Sequence, residues 1–278
     1  MVYFLSDAHL GSRAIDNDAE HQQKVVNLLT QMGKDATAIY LLGDIFDFWY
    51  EYFWDNGQRR IPKNKQQFEP ILKCLKELTD QGIDVHYFIG NHDIWTFGWL
   101  AKKTGVIVHK TPLEVEIYGK RIFMAHGDGL IPANYADLLD KQMQKRIRAF
   151  KCLRAFFHNP IPQFLFRLMP PCLGNAIGYE WARRSRLKEF AHPCPYKGEH
   201  KEELVLFAKE MEQGAKTDDT DGTKNKEHHD YYIFGHRHIE LDLMLARDAR
   251  VIILGDMFKL WTYAQMSPDG TIELKIMN

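Results

Sequence analysis

The sequence predicts an α/β fold of sheet layered with helices, and three observations predict it. Short apolar or β-branched runs recur at residues 2–6, 38–42, 85–89, 121–125, 231–234 and 251–254. Most are apolar on both faces, as strands buried on both sides are. Amphipathic helical stripes lie between several of them. The ends of the runs carry Asp, Asn and His side chains, which is where ligands bind in an open α/β sheet.

From the N-terminus, residues 2–6 lead straight into Asp7 and His9 with no basic segment before them. No signal peptide is therefore expected. Val25, Leu28, Leu29 and Met32 form a stripe at helical spacing closed by Gly33. Phe68, Ile71, Leu72 and Leu75 form a second, closed by Gly82. Leu204, Phe207, Ala208 and Met211 form a third, closed by Gly214. These faces belong to a core rather than a ligand pocket. Residues 113–118 and 272–277 read as added strands of a mixed sheet. Residues 134–188 interrupt the alternation with a long, largely helical stretch, and residues 212–229 form a polar loop. The expected organisation is a core of residues 1–133 and 189–278 with a helical cap inserted at 134–188.

Composition narrows the function. A net charge of −1 gives no global pull toward nucleic acid or acidic membranes, so electrostatic recognition has to be local. Cys74, Cys152, Cys172 and Cys194 lie far apart and form no C-x-x-C pair, which points to reduced thiols rather than a zinc site or a disulfide framework. No apolar run reaches the ~18 residues a membrane-spanning helix needs.

The strand ends carry the chemistry. They read Asp7-Ala8-His9, then Gly43-Asp44-Ile45-Phe46-Asp47, then Gly90-Asn91-His92-Asp93, then His126-Gly127-Asp128, and near the C-terminus Gly235-His236-Arg237-His238. Asp7 and His9 are two apart, as are His236 and His238, so each pair shares a side of an extended backbone. The glycines permit sharp turns and close backbone approach. Carboxylates, imidazoles and one amide oxygen, without thiolate, suit Mn²⁺, Fe²⁺ or Zn²⁺ in a reactive rather than structural site. Asp44 is central in this order and is the carboxylate expected to bridge two ions. Two such ions clamp an in-line displacement at phosphorus and acidify the attacking water. Thirteen histidines leave room for chance, but chance would have to build five such motifs at five strand ends.

In this order, D-x-H, GD-x-x-D, GNH-D, HGD and GH-x-H resemble the calcineurin-like metallophosphoesterase superfamily. The resemblance spans Asp7 to His238. It implies a β-sandwich of two mixed sheets flanked by helices. Asp7, His9, Asp44 and His238 would hold one ion, and Asp44, Asn91, His126 and His236 the other. Asn91 and His92 would be catalytic, with His92 contacting the scissile phosphate or protonating the leaving oxygen. Asp47 and Asp93 are expected either to orient a ligand imidazole or to be plain loop carboxylates.

The substrate is left to the insertion. Between residues 141 and 188 stand eleven Lys and Arg and one acid, Glu180. They interleave with Phe150, Leu153, Phe156, Phe157, Phe164, Leu165, Phe166 and Leu168. That mixture fits an element gripping anionic lipid. A cap with a solvated basic face is the plainer alternative, and single-stranded nucleic acid a third. The early Asp7, the HGD motif and the long insertion are similar to the UDP-2,3-diacylglucosamine pyrophosphatase family of lipid A biosynthesis. The stretch from Phe157-His158-Asn159-Pro160 to Arg183-Arg184-Ser185-Arg186 also resembles that family's cap. This resemblance implies hydrolysis of UDP-2,3-diacylglucosamine to UMP and diacylglucosamine 1-phosphate with Mn²⁺. It places the enzyme in the cytoplasm, peripheral on the inner membrane and bound to its anionic surface through the cap, with no stable nucleic-acid partner. Asn134, Ser185 and Lys188 are the candidate substrate contacts. The chain departs from the best-known members in having His92 where they have Arg after the ligand Asn. The other classes weighed are a soluble phosphodiesterase or phosphatase acting on a nucleotide, phosphoprotein or nucleic acid, and a non-catalytic metal-binding scaffold.

Overall fold

The structure, a computed structural model, describes residues 1–55, 61–132, 135, 141–191, 195–214 and 228–277. Two mixed sheets face each other. The first joins β1 (Val2–Leu5), β2 (Ala38–Leu41), β3 (Asp84–Phe88), β4 (Ile107–His109), β10 (Thr262–Met266) and β11 (Ile272–Ile276) in the order β11-β10-β1-β2-β3-β4. The second joins β5 (Leu113–Ile117), β6 (Lys120–Ala125), β7 (Tyr231–Phe234), β8 (Glu240–Met244) and β9 (Arg250–Leu254) in the order β5-β6-β7-β9-β8. In the first sheet β1 to β4 pair in parallel, with β4 at the edge, and in the second β6, β7 and β9 do so at the centre. This is the two-sheet architecture expected from the resemblance. Val2, Phe4, Tyr40 and Leu42 of one sheet meet Ile122, Met124, Ile233 and Ile252 of the other in a shared apolar layer.

Helices cover the outer faces. α1 (Asp18–Met32) starts at Asn17, whose side chain accepts from Glu20 N, and buries Val25, Leu28, Leu29 and Met32. α2 (Glu69–Asp80) buries Ile71, Leu72 and Leu75 in the same cluster, and Phe68 joins them from the turn just before the helix. α7 (Glu203–Gly214) covers the second sheet through Leu204, Val205 and Ala208. All three stripes are core, as their periodicity predicts.

Three strands escaped the sequence reading. β8 is an edge strand whose five residues alternate exposed and partly buried. β10 (Thr-Tyr-Ala-Gln-Met) lacks a β-branched aliphatic run, and β4 has only three residues. Each is specified by its neighbour's unpaired edge more than by its own composition.

Residues 141–191 form three helices: α4 (Lys141–His158), α5 (Pro160–Arg167) and α6 (Pro171–Ala191). Asn159 caps α5 by accepting from Ile161 N, with Pro160 in its first turn, where a missing N–H costs nothing. α6 lies against the segment after β2, where Phe48, Tyr50, Tyr52, Tyr179 and Ala182 form a separate apolar cluster. Gly174 and Gly178 make that approach possible, since a Cβ on Gly178 would overlap the Phe48 ring. Among the described residues, no helix is long and apolar enough to cross a membrane. Cys74 is buried, Cys152 and Cys172 are exposed and all three are free; Cys194 and most of the polar loop at 212–229 fall outside the described residues.

One buried carboxylate ties the segment after β2 to α3 (Trp99–Thr104). Glu51 is 1% exposed and accepts from the amides of Phe97, Trp99 (2.8 Å) and Leu100 (2.8 Å). The residue at the helix start is Gly98, which has no side chain to cap with. Glu51→Ala leaves these amides without an acceptor and is expected to cost about 3 kcal/mol of unfolding free energy. Chemical denaturation measures it, and a loss below about 0.5 kcal/mol would mean water reaches the amides.

Candidate metal centre

The strand-end motifs converge at one edge of the two-sheet core. Past β1 and β2 the chains keep running side by side: Asp7 N donates to Gly43 O (3.0 Å) and His9 N to Asp44 O (2.9 Å). The backbone there is not extended, as the two-residue spacing led us to expect. Asp7, His9, Asp44, His236 and His238 all adopt positive φ, between 46° and 67°. Each such non-glycine turn costs on the order of 1 kcal/mol, and strain of this kind gathers at functional sites. The turns are pinned by the side chains they present. Asp7 Oδ2 accepts from His236 N (2.8 Å), and Asp44 Oδ1 accepts from His92 N (2.8 Å).

The side chains fall into three overlapping groups of donor atoms within metal-binding reach: Asp7, His9 and His238; His9, Asp44 and His92; Asp44, His126 and His236. Asp44 and His9 each belong to two. His238 Nε2 lies 3.0 Å from Asp7 Oδ1, and His126 Nε2 lies 3.3 Å from Asp44 Oδ2. Asn91 Oδ1 is 3.4 Å from His126 Nε2. His126 Nδ1 lies 2.7 Å from the Leu42 carbonyl, a bond that leaves Nε2 facing the cluster. The seven residues expected to ligate ions are thus gathered in one place.

The electrostatics suit a cation. Burial works to raise the Asp7 carboxyl, but His238, His9 and His126 together outweigh it and hold the group well below the usual carboxylate range. His126, His92 and His9 do the same for Asp44. Burial, reinforced by His126, pushes His236 down to about 4, so its imidazole is neutral at ordinary pH, as a ligand must be. Asp7 Oδ1 is buried and faces the His238 and His9 imidazoles, at 3.0 and 3.7 Å. Buried carboxylates beside imidazoles, of which burial holds His9 and His236 toward the neutral form, are the donor set that divalent ions of the Mn²⁺ to Zn²⁺ series bind. The residues fit a dinuclear centre.

No protein-family model matches the chain. A UDP-2,3-diacylglucosamine hydrolase from Porphyromonas gingivalis is 33% identical over 97% of the chain and 94% of its own length. The chain belongs to the UDP-2,3-diacylglucosamine hydrolase family. A second member, from Psychromonas ingrahamii, is 27% identical over 67% of the chain and 66% of its own length. Among solved structures, a dimetal phosphatase from Danio rerio covers 95% of the chain at 13% identity with a TM-score of 0.43, the chain matching 91% of it.

Around the centre of this hydrolase the remaining residues take distinct places. Asp47 Oδ1 lies 3.2 Å from His9 Nδ1, and the Asp47 carbonyl lies 2.7 Å from His92 Nδ1. Asp47 therefore contacts the His9 imidazole, the first of the two alternatives left open for it. Asp93 instead holds backbone: it accepts from Ile45 N (3.0 Å), Gly90 N and the Tyr87 hydroxyl, stapling the two ligand loops together. Burial and the nearby Asp44 charge push its carboxyl up to about 6. Ser185 lies at the junction of two cavities that open beside the centre. Lys188 lines neither; it borders an exposed groove on α6 with Ile177 and Trp181. Asn134 falls outside the described residues.

Arg186 was read only as one of the cap's many cations. It is 2% exposed, and its guanidinium lies 2.7 Å from His9 Nδ1 and 3.5 Å from Asp47 Oδ1. Phe258 was missed entirely; its ring packs 5.7 Å from that of His9 and 5.3 Å from that of His238. The R-S-R triplet and the GD pair at Gly255-Asp256 were the available signals, but neither reveals which face of α6 or which loop reaches the site.

Proposed function

We propose that the chain hydrolyses the pyrophosphate of UDP-2,3-diacylglucosamine to UMP and 2,3-diacylglucosamine 1-phosphate, with two divalent ions of which Mn²⁺ is the foremost candidate. The observation that carries the reading is a cavity of about 340 Å³ between the core and the helices at 141–191, opening onto Asn91 and His92. Its walls are mostly apolar: Tyr50, Trp95, Phe157, Phe166, Ile177 and Trp181 are among them. Soluble nucleotides and phosphoproteins have nothing to place there, whereas an acyl chain does.

On this reading Asp7, His9, Asp44 and His238 hold one ion, and Asp44, Asn91, His126 and His236 the other. His92 Nε2 contacts the phosphate, with Nδ1 held at the Asp47 carbonyl. Ser185 faces the same junction from α6. Residues 134–188 act as the cap, with Asn134 and Lys188 as further candidate contacts. The cap's outer apolar side chains, Ile161 at 69% and Leu165 at 61% exposure among them, interleave with its lysines and arginines. That surface fits peripheral attachment to an anionic membrane, where each basic residue contributes about 1 kcal/mol.

Purified protein with Mn²⁺ is expected to release UMP from UDP-2,3-diacylglucosamine, and EDTA to stop it. Turnover of a soluble diester such as bis(p-nitrophenyl) phosphate without UMP release would instead identify a soluble phosphodiesterase.

A further inference from the structure

The apolar cavity is not the only space at the centre. A second cleft of about 320 Å³ reaches the same residues, Asn91, His92 and Ser185, and differs from the first in chemistry. Its walls include Arg186, Phe190, Arg237, Phe258 and Lys259. Its volume lies at the low end of the ~300–1,000 Å³ typical of small-molecule sites.

The walls are held in place. Asp256 is 1% exposed and accepts from the amides of Phe258 (3.2 Å), Lys259 (2.6 Å) and Leu260 (2.8 Å), which fixes the loop after β9. Phe258 is clamped between the His9 and His238 rings on one side and Phe190 of α6, 6.0 Å away, on another. The Arg186 guanidinium stands 5.4 Å over the Phe258 ring. Arg237 is taken by the fully buried Glu202, at 3.1 Å. Lys259 is exposed and makes no ion pair among the described residues.

We propose that this cleft binds the nucleoside monophosphate half of the substrate, with Lys259 gripping its phosphate and Phe190 providing an aromatic face for its base. The proposal rests on the lipid-nucleotide reading above. A substrate with a lipid on one side of a pyrophosphate and a nucleotide on the other needs two unlike spaces meeting at the bond that breaks. The apolar cavity takes the lipid, and the cationic, aromatic cleft remains for the nucleotide. An anionic phosphate is favoured beside an unpaired ammonium, and a base stacks on an aromatic ring for about 1–3 kcal/mol.

The test is calorimetric titration of UMP and of uridine into Mn²⁺-loaded protein, with metal content measured for every variant. Lys259→Glu is expected to weaken UMP at least about tenfold and leave uridine unchanged, because uridine has no phosphate. Phe190→Ala is expected to weaken both by about fivefold or more. UMP affinity within twofold of wild type in both variants, at full metal content, overturns the proposal. The substrate assay separates the two readings. A protein that fails to cleave the lipid nucleotide yet loses UMP on Lys259→Glu keeps the subsite and discards the function; one that cleaves it with unaltered UMP binding does the reverse.

Discussion

Asp44→Ala is expected to lower phosphoester turnover by about 10³-fold or more and to leave the protein folded. The expectation follows from position. Asp44 lies in two of the three donor groups, one of its oxygens 3.3 Å from His126 Nε2 and 3.9 Å from His9 Nε2. His9 lies in two groups as well, but on the assignment proposed above it serves one ion, whereas removing Asp44 takes one donor from each half of the centre. Several kcal/mol of transition-state stabilisation depend on both ions, and each 1.36 kcal/mol is about tenfold in rate.

The fold survives the change at some cost. Burial opposes the Asp44 charge, but His126, His92 and His9 together outweigh it and hold the carboxyl low, so the ionised side chain stabilises the folded state. The one backbone group left without its acceptor is His92 N, at a cost of about 1–3 kcal/mol. Asp44→Asn keeps the shape and can keep that bond, yet loses the charge; it is expected to be nearly as inactive and more stable than the alanine variant. Elemental analysis for metal per chain, steady-state rates with Mn²⁺ and chemical denaturation form the test. Full activity in a folded, metal-poor Asp44→Ala protein would leave the chain a scaffold whose hydrolysis arises elsewhere.

The sequence made the convergence of the candidate ligands legible because each motif is local. A strand running into a turn places its last side chains at the sheet edge, and parallel strands bring those edges together whatever the distant packing. That is why Asp7, His9, Asp44, Asn91, His126, His236 and His238 could be named together from residue order alone. What is not local was not legible. Arg186 reaches His9 only because Gly174 and Gly178 let α6 approach the segment at 48–52, which fixes the rotation of the helix. The same rotation turns Lys188 to the outer groove and leaves Ser185 between the cavities. Asp93 looked like a residue that orients a ligand imidazole, because it follows Asn91-His92. Its carboxyl instead faces back into the loop, where three donors were waiting.

The glycines before the candidate ligands answer to two physical causes that the sequence merges. At Gly43 both act: φ is +86°, and a Cβ would lie 2.9 Å from Gly90 Cα. Gly90 has no such φ, and its reason is space. A Cβ there would lie 2.1 Å from Asp44 Oδ1 and 2.6 Å from Asp44 N. The carboxylate can swing away, but the amide is backbone, and its loop is tied to the Gly90 loop through Asp93, which accepts from both Gly90 N and Ile45 N. β2 and β3 are already paired in register below this point, Leu41 opposite Tyr87, so the loops have no freedom to part. Gly90→Ala is therefore expected to displace Asp44 itself, reducing metal content and lowering turnover about 100-fold or more, with about 1–3 kcal/mol of overpacking. Gly82→Ala is the matched control: its φ is +85° but nothing lies within 4 Å of the added carbon. It is expected to cost about 1 kcal/mol at full turnover. If both variants lose stability and neither loses metal, close approach at Gly90 does not position Asp44. If only Gly90→Ala loses metal, the glycine ahead of Asn91 is a spacing element for the carboxylate on the neighbouring strand, and the motifs on β2 and β3 act as one unit rather than two.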